Sequence, residues 1–228
     1  MPRKGIFIVI DGSDGTGKKT QHQLLLERLE QEGIANHAVD FPRYGAPSAY
    51  FVEQYLAGDY GAADEVSPEK SSIFYALDRF AAAKEINEAL AEGRVVVANR
   101  FTLSNMGHQG AKLANKAERA KLYQWIDTFE HETLGVPRPD MNIILTIPHS
   151  VARANIDRRS VSDNRVKDIH EANDDFMRRS IDVYRELGEL FDTCLEVKCE
   201  ASETAMKTPQ EIHKTIWNIV NELRSTAV

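Results

Sequence analysis

The chain has 228 residues, enough for one ordinary domain with a full hydrophobic core. Its hydrophobic share of 42% and its charged share of 28% are typical of soluble globular proteins. A formal net charge of −7 argues against non-specific binding to nucleic acid or to acidic membranes, and no apolar run approaches the length of a membrane span. We therefore expect neither nucleic acid nor a membrane among its partners.

The N-terminus and the cysteines indicate a cytoplasmic location. Two positive charges precede the first apolar stretch, but that stretch is too short for a signal peptide and Asp11 ends it. Cys194 and Cys199 do not have the spacing of a metal knuckle or of a C-x-x-C redox site. We expect buried thiols in a reducing compartment.

Short apolar segments alternate with amphipathic segments along the whole chain. Strands are predicted at residues 6–10, 38–41, 95–98, 142–147 and 194–197. Helices are predicted at residues 18–32, 48–56, 68–92, 116–133, 150–159, 172–191 and 209–223, with loops at 59–67 and 160–164. This alternation predicts an α/β fold with a parallel sheet of about five strands and helices on both faces. Because no repeat, low-complexity tract or linker interrupts it, we expect a single domain over residues 1–228.

The turn between the first strand and the first helix has the composition of a phosphate-binding loop. Glycines allow backbone N–H groups to surround an anion, and the N-terminus of the following helix favours negative charge. The segment matches G-x-x-x-x-G-K-[ST] except at its last position. The predicted contacts to ATP phosphates are Gly12, Ser13, Asp14, Gly15, Thr16, Gly17, Lys18, Lys19 and Thr20. The alternative is an ordinary strand-to-helix turn whose glycines serve only tight packing.

Lys19 stands where the motif has a hydroxyl that ligates Mg²⁺, and Thr20 comes one residue later. Two interpretations are open. Lys19 either weakens the binding of the metal, or it adds a positive charge near the phosphates while the metal is held elsewhere.

Further segments follow the loop in a fixed order, and their combination is more specific than any one of them. They are Asp14-Gly15-Thr16-Gly17-Lys18, Phe41-Pro42-Arg43-Tyr44-Gly45, Tyr75-Ala76-Leu77-Asp78-Arg79, Asn99-Arg100-Phe101, Ser104-Asn105, Gln109-Gly110 and Pro139-Asp140. With these segments the chain resembles the thymidylate kinases over about its whole length. The resemblance implies a three-layer P-loop NTPase fold, ATP as phosphate donor to dTMP, Mg²⁺, and a homodimer.

The resemblance also implies a binding site for dTMP. Its residues would be Asp14, Arg43, Tyr44, Tyr75, Arg79, Arg100, Asn105, His108 and Gln109. A guanidinium after a strand suits a phosphate, and residues four apart on a helix face the same way. The alternatives are a surface role for Arg43, a core role for Tyr75 and a structural role for His108. His108 replaces a tyrosine of the family, and Tyr75 replaces a phenylalanine.

The catalytic residues implied by the resemblance are mostly cationic. They are Lys18, Arg100, Asp14, Arg158, Arg159 and Arg165, with the last three on an arginine-rich lid around residues 153–168. The alternatives are an ordinary solvated helix face for the lid arginines and a salt-bridge role for Arg100. Asp14 is also the candidate metal ligand, because Asn99 stands where the family usually has an aspartate.

The predicted reaction is transfer of the ATP γ-phosphate to dTMP, which gives dTDP for dTTP biosynthesis. A nearby alternative is the same fold with another acceptor, such as dUMP or a nucleoside. A more distant alternative is a nucleotide-binding module with little catalysis, which Lys19 and Asn99 keep open. A GTPase is disfavoured because the chain has no Asn-Lys-x-Asp motif.

Overall fold

A five-stranded parallel sheet forms the centre of the computed structural model, which describes residues 5–63, 65–162 and 173–226. Its strands are β1 (Ile6–Gly12), β2 (Asn36–Asp40), β3 (Val95–Asn99), β4 (Met141–Thr146) and β5 (Cys194–Lys198). They are ordered β2-β3-β1-β4-β5, with Ile8 of β1 beside Val97 on one side and Met141 on the other. Every residue of β1 and β3 is buried, as expected for strands covered on both faces.

Helices cover both faces of the sheet. They are α1 (Lys18–Gln31), α2 (Tyr50–Ala57), α3 (Pro68–Ala91), α4 (Thr102–Gly110), α5 (Lys116–Asp127), α6 (His149–Ser162), α7 (Asp174–Leu190) and α8 (Pro209–Thr226). Ile8 and Ile10 belong to one core cluster with residues of α1, α6 and α8, whereas Phe7 and Val9 belong to another with residues of α3. The three-layer architecture is thereby confirmed. No helix among the described residues is long and apolar enough to cross a membrane.

Four local features differ from the sequence-based prediction. Helix α4 was not predicted, and neither was a small antiparallel ribbon of β6 (Glu200–Ser202) and β7 (Ala205–Met206). The helix predicted over 116–133 ends as an α-helix at Asp127 and continues as a π-helical turn over Thr128–Thr133. The loop predicted over 160–164 is wrong for residues 160–162, which belong to α6, and the other two residues lie outside the described part.

Helix α4 illustrates why sequence propensity missed an element. It is short and contains Gly107 and Gly110, which lower helix propensity. A Cβ on Gly107 would lie 2.7 Å from the ring of Tyr184, and one on Gly110 would lie 2.7 Å from the hydroxyl of Tyr123. Both glycines therefore allow close packing, and tertiary contacts stabilise a helix that the local sequence does not favour.

Candidate active site

A cavity of about 800 Å³ opens at the carboxyl edge of the sheet, next to the loop that follows β1. Ligands bind at this edge in open α/β sheets. The cavity brings together many of the residues singled out from the sequence: Asp14, Gly15, Gly17, Lys18, Lys19, Thr20, Tyr44, Tyr75, Arg79, Arg100, Asn105, His108, Gln109 and Arg159. Segments more than 140 residues apart in the chain, from Asp14 to Arg159, thus meet around one space.

The loop after β1 packs too closely on its neighbours for side chains at two positions. Gly12 has φ +136°, and a Cβ there would lie 2.3 Å from the carbonyl oxygen of Leu145. Gly15 has φ +81°, and its Cβ would lie 2.6 Å from the carbonyl oxygen of Ala152. These glycines therefore serve both the backbone turn and close packing on β4 and α6.

Two other loop residues, Thr16 and Gly17, stabilise the turn and begin helix α1. Thr16 donates from Oγ1 to the carbonyl oxygen of Ser13 over 2.9 Å, and Gly17 is the left-handed N-cap of α1. Because Gly17 has no side chain to cap the helix, the first N–H groups of α1 are not capped by it. Gly12, Ser13 and Thr16 do not line the large cavity, whereas Lys19 and Thr20 line it and are exposed.

A cluster of buried charges lies at the middle of the cavity. Lys18 is buried, donates from Nζ to the carbonyl oxygen of Ser13 over 2.7 Å, and lies 3.8 Å from Oδ1 of Asp14. Burial and the nearby guanidinium of Arg100 lower the pKa of Lys18 to about 7, against the opposing effect of Asp14. Burial alone would raise the pKa of Asp14, but Arg100 and Lys18 hold that pKa well below its usual range. Asp14 is therefore ionised at neutral pH.

Arg100 is held in an unusual conformation that directs its side chain into this cluster. Its φ of +65° is in the left-handed region, which a residue with a Cβ rarely adopts. Its Nη2 donates to Oδ1 of Asp14, and its Nη1 lies 3.0 Å from Nε2 of His108. His108 in turn stacks on Phe176, with ring centroids 6.2 Å apart. The salt-bridge role that was the alternative for Arg100 is thus observed, but both partners of the salt bridge line the cavity.

The end of the cavity beside α3 and α4 is built from buried hydrogen bonds. Arg79 donates from Nε and Nη2 to the two carboxylate oxygens of Glu130, over 2.6 and 2.7 Å. Tyr75 lines the cavity one helical turn before Arg79 and contacts the ring of Tyr55 edge-on. The predicted common face of Tyr75 and Arg79 on α3 is thus observed. Phe74 lies elsewhere, stacked on Phe51.

Two amide side chains at this end each have one buried atom without a hydrogen-bond partner in the described part of the chain. Asn105 donates from Nδ2 to Glu130 over 2.9 Å and to the carbonyl oxygen of Ser72 over 3.2 Å, which leaves its Oδ1 unpaired. Gln109 accepts at Oε1 from Ser71 over 2.7 Å, which leaves its Nε2 unpaired. Because buried polar atoms are normally paired, these atoms indicate a ligand that supplies a donor and an acceptor.

Two of the arginines from the sequence analysis, Arg43 and Arg158, do not line the cavity. Arg43 pairs with Asp78 over 3.1 Å and donates to Ser48 over 2.9 Å. Arg158 is exposed on α6, one residue before Arg159, which does line the cavity. Arg165 and the end of the predicted lid lie outside the described residues.

Several functional candidates were missed by sequence reasoning. Glu130 lies in the π-helical turn, where the surrounding sequence carries no motif. Asn155 donates to the carbonyl oxygen of Gly15 over 2.9 Å, and it lines the cavity together with Met206 of the small ribbon. Asp11 is fully buried and accepts from Ser104 over 2.6 Å, so it supports the site from behind. Unlike the other three residues, Asp11 was not missed: the sequence offered it beside Asp14 as a carboxylate for a metal or for orienting the acceptor, but it does not line the cavity.

The residues at the cavity fit a metal ion that takes most of its ligands from phosphate. No group of three or more His, Cys, Asp or Glu side chains with metal-binding geometry occurs among the described residues. Asp14 supplies a carboxylate, and Asn99 supplies a buried Oδ1 that has no hydrogen-bond partner in the part of the chain that the structure describes. Mg²⁺ is commonly held by one or two protein oxygens together with substrate phosphates, so this small donor set is sufficient.

Comparison with known proteins gives one consistent answer. The family model described as "Thymidylate kinase" matches residues 10–216. A thymidylate kinase of Synechococcus sp. (strain JA-2-3B'a(2-13)) is 30% identical over 216 residues, which are 94% of each chain. A thymidylate kinase of Afipia carboxidovorans is 34% identical over 151 residues, which are 66% of this chain and 62% of that relative.

A solved structure, the thymidylate kinase of Candida albicans, superposes with a TM-score of 0.71 over 97% of this chain and 93% of that chain. At 18% sequence identity this match supports the fold. The match of the family model over most of the chain and the relatives aligned with it lead to the same conclusion: the chain belongs to the thymidylate kinase family.

Proposed function

We propose that this protein transfers the γ-phosphate of ATP to dTMP and releases ADP and dTDP. The observation that carries the proposal is the buried Oδ1 of Asn105, which has no partner among the described residues. It lies beside Arg79 in the same cavity as Lys18, Arg100 and Asp14. The surroundings of Asn105 and Arg79 suit a pyrimidine base, and the surroundings of Lys18 and Arg100 suit phosphates.

The base end has the hydrogen-bonding pattern of thymine. Thymine presents an N–H donor at N3 and a carbonyl acceptor at O4, whereas cytosine presents an acceptor and an amino donor. The Oδ1 of Asn105 can accept from N3–H, and Arg79 or the Nε2 of Gln109 can donate to O4. The ring of Tyr75 offers an apolar face on which the base can stack. Uracil shares the N3–H and O4 pattern, so dUMP is the strongest competing acceptor.

Phosphoryl transfer at this site needs alignment and charge neutralisation more than a general base. The phosphate of dTMP is already ionised at neutral pH, and one of its oxygens attacks the γ-phosphorus while the bond to the β-phosphate oxygen breaks. Lys18 and Arg100 would neutralise the charge that spreads over the transferred group. Asp14 holds Arg100 in place for this role. Mg²⁺, bound near Asp14 and Asn99, would supply further positive charge to the ATP phosphates.

The cationic residues at the rim of the cavity extend this proposal. Arg159 lines the donor side and would contact the phosphates of ATP, and Arg158 and Arg165 stay predictions for the lid. Tyr44 lines the acceptor side, next to the predicted sugar and phosphate. Arg43 would have to leave Asp78 to reach the acceptor phosphate, so its role depends on a side-chain rearrangement.

The test is a coupled ADP-release assay with ATP and Mg²⁺ against dTMP, dUMP, dCMP, dGMP, AMP, UMP and thymidine. We expect the highest kcat/KM with dTMP, dUMP second, and turnover with dCMP at least tenfold lower because its N3 lacks a proton. ATP binding without transfer to any acceptor would contradict the proposal and favour a nucleotide-binding module.

We further propose a cytoplasmic homodimer that forms through α2 and α3. Large hydrophobic side chains are exposed on these helices, including Tyr50, Phe51, Leu77 and Phe80. Such a patch is typical of a protein interface. The variant Phe80→Glu is expected to shift the molar mass from dimer to monomer in light scattering coupled to gel filtration. The location is supported by Cys194 and Cys199, which are both free thiols.

A further inference from the structure

We propose that Glu130 is a positioning residue that sets the base preference of the site by orienting Asn105 and Arg79. The inference rests on the proposed function, because it concerns recognition of the acceptor base. Glu130 does not itself line the cavity, and it acts through two residues that do.

Glu130 accepts four hydrogen bonds from three side chains. Arg79 donates two of them, Thr102 donates a third over 2.8 Å, and Asn105 donates the fourth over 2.9 Å. The side chain of Glu130 is fully buried and that of Arg79 is 3% exposed. A buried carboxylate is tolerated only when it is paired and hydrogen-bonded, and here both oxygens are fully engaged.

This arrangement determines which atom of Asn105 meets the ligand. An ionised carboxylate accepts hydrogen bonds and cannot donate them, so Asn105 must turn its NH₂ group toward Glu130. The carbonyl oxygen of Ser72 also accepts from Nδ2, over the longer distance of 3.2 Å, so it supports the orientation that Glu130 imposes. The Oδ1 of Asn105 is therefore the atom left to meet the base, and it requires a ligand with an N–H donor.

The consequence is discrimination by the polarity of one base atom. The protonated N3 of thymine or uracil satisfies Oδ1, whereas the unprotonated N3 of cytosine would place two acceptors against each other. A site that is built around a hydrogen bond rejects an analogue that cannot form it, because its buried polar atoms stay unpaired. Glu130 supplies this selectivity from outside the cavity.

The backbone of the π-helical turn holds Glu130 in place. The carbonyl oxygen of Glu130 accepts from the N–H of Val136 over 2.9 Å, and His131 bonds the carbonyl oxygen of Val136 over 2.8 Å. The neighbouring Glu132 has a different environment, because its side chain is 65% exposed and lies 3.8 Å from Arg138. Glu132 is thus a matched control on the same turn.

The experiment compares wild type, Glu130→Gln and Glu132→Gln by steady-state kinetics with dTMP and with dCMP. In Glu130→Gln the new amide can donate to Asn105, so the Asn105 amide can turn and present Nδ2 to the base. We expect kcat/KM for dTMP to fall about 10- to 100-fold, mainly through KM, and the dTMP to dCMP preference to shrink by at least tenfold. Glu132→Gln should match wild type in both values.

A folded Glu130→Gln variant with an unchanged dTMP to dCMP preference would overturn the inference, even if its activity is lower. If that variant does not fold, Glu130→Asp provides the test, because it keeps a carboxylate that only accepts hydrogen bonds but places it on a shorter side chain. The KM for dTMP should then rise, while the preference for dTMP over dCMP is retained. Glu130→Asp with an unchanged KM would overturn the inference. Failure of wild type to use dTMP is a separate outcome, because it would contradict the proposed function before any variant is compared.

Discussion

The two ends of the cavity are built in opposite ways. At the acceptor end, Arg79, Asn105 and Gln109 are buried and joined to one another through Glu130 and the serines of α3. At the donor end, Lys19, Thr20 and Arg159 are exposed on the rims of α1 and α6. The acceptor end is a buried hydrogen-bond network with two atoms left to meet the ligand, whereas the donor end has cations at an exposed rim.

This contrast follows from what each end has to recognise. A base is distinguished by the direction of a few hydrogen bonds, and such discrimination requires fixed polar atoms in a dry environment. A triphosphate is recognised mainly by its charge, so cations at an exposed rim can contribute to its binding without the fixed geometry that a base requires. We expect substitutions at the acceptor end to affect stability and selectivity together, and substitutions at the donor rim to have mild effects.

The largest expected effect is on stability, in Arg79→Ala. Removing Arg79 leaves the buried carboxylate of Glu130 without its ion-pair partner, and breaking a buried pair in this way costs about 3–5 kcal/mol. Urea denaturation measures this loss. The control is Arg138→Ala, because Arg138 is 55% exposed and its pair with Asp127 should contribute less than about 1 kcal/mol. Equal losses in the two variants would contradict the role of the buried Arg79–Glu130 pair in stabilising the acceptor end.

The next effect is on catalysis, in Lys18→Met. Lys18 is expected to neutralise charge on the transferred group, and loss of one such contact lowers kcat about 10²- to 10³-fold. Stability should not fall, since a buried ammonium is replaced by an apolar side chain of similar length. Single-turnover kinetics and thermal unfolding test both parts. A kcat within threefold of wild type would show that Lys18 does not act on the phosphates.

A smaller effect is proton uptake when ATP binds. In the free protein the pKa of Lys18 is about 7, so at pH 8 its amine is mostly neutral. The negative phosphates raise that pKa, and Lys18 should take up close to one proton at pH 8 but almost none at pH 6. The affinity for ATP should therefore weaken as the pH rises above 7. Calorimetry in buffers of different ionisation enthalpy measures the uptake, which Lys18→Met should abolish.

The smallest effect is expected from Lys19→Ser, which restores the hydroxyl of the motif at the exposed rim. Because Lys19 is exposed and the metal takes most of its ligands from phosphate, the apparent Mg²⁺ affinity should change less than tenfold. A titration of kcat against free Mg²⁺ tests this. A larger gain would show that Lys19 weakens the binding of the metal. The donor end would then depend on the identity of single side chains as strongly as the acceptor end does.

The sequence predicted the fold well because its signals were local. Alternating apolar strands and amphipathic helices gave the five-stranded sheet and its two helical layers, and the glycine-rich loop lies at the expected edge. Helix α4 was missed because its two glycines are explained only by packing against Tyr184 and Tyr123.

Residues that position other side chains could not be identified from the sequence either. The recognisable motifs of the sequence include Tyr75, Arg79 and Asn105, and all three residues line the cavity. Glu130 is 51 residues from Arg79 and 25 from Asn105, in a turn with no motif of its own. Likewise, nothing near Arg43 shows that its guanidinium bonds Asp78, because that contact joins residues 35 apart. Long-range partners such as these follow from tertiary packing.

The buried carboxylate of Asp11 has a consequence for how the protein is made. It accepts a hydrogen bond from Ser104 on α4 and another, over 2.9 Å, from the hydroxyl of Tyr184 on α7. Tyr184 lies 173 residues after Asp11, so part of the support behind the glycine-rich loop comes from a distant segment of the chain. A nascent chain therefore contains the glycine-rich loop long before it contains α7, and the loop gains the hydrogen bond from Tyr184 only once that helix has been made. The most recognisable motif in the sequence is thus completed only after a segment far along the chain has been made.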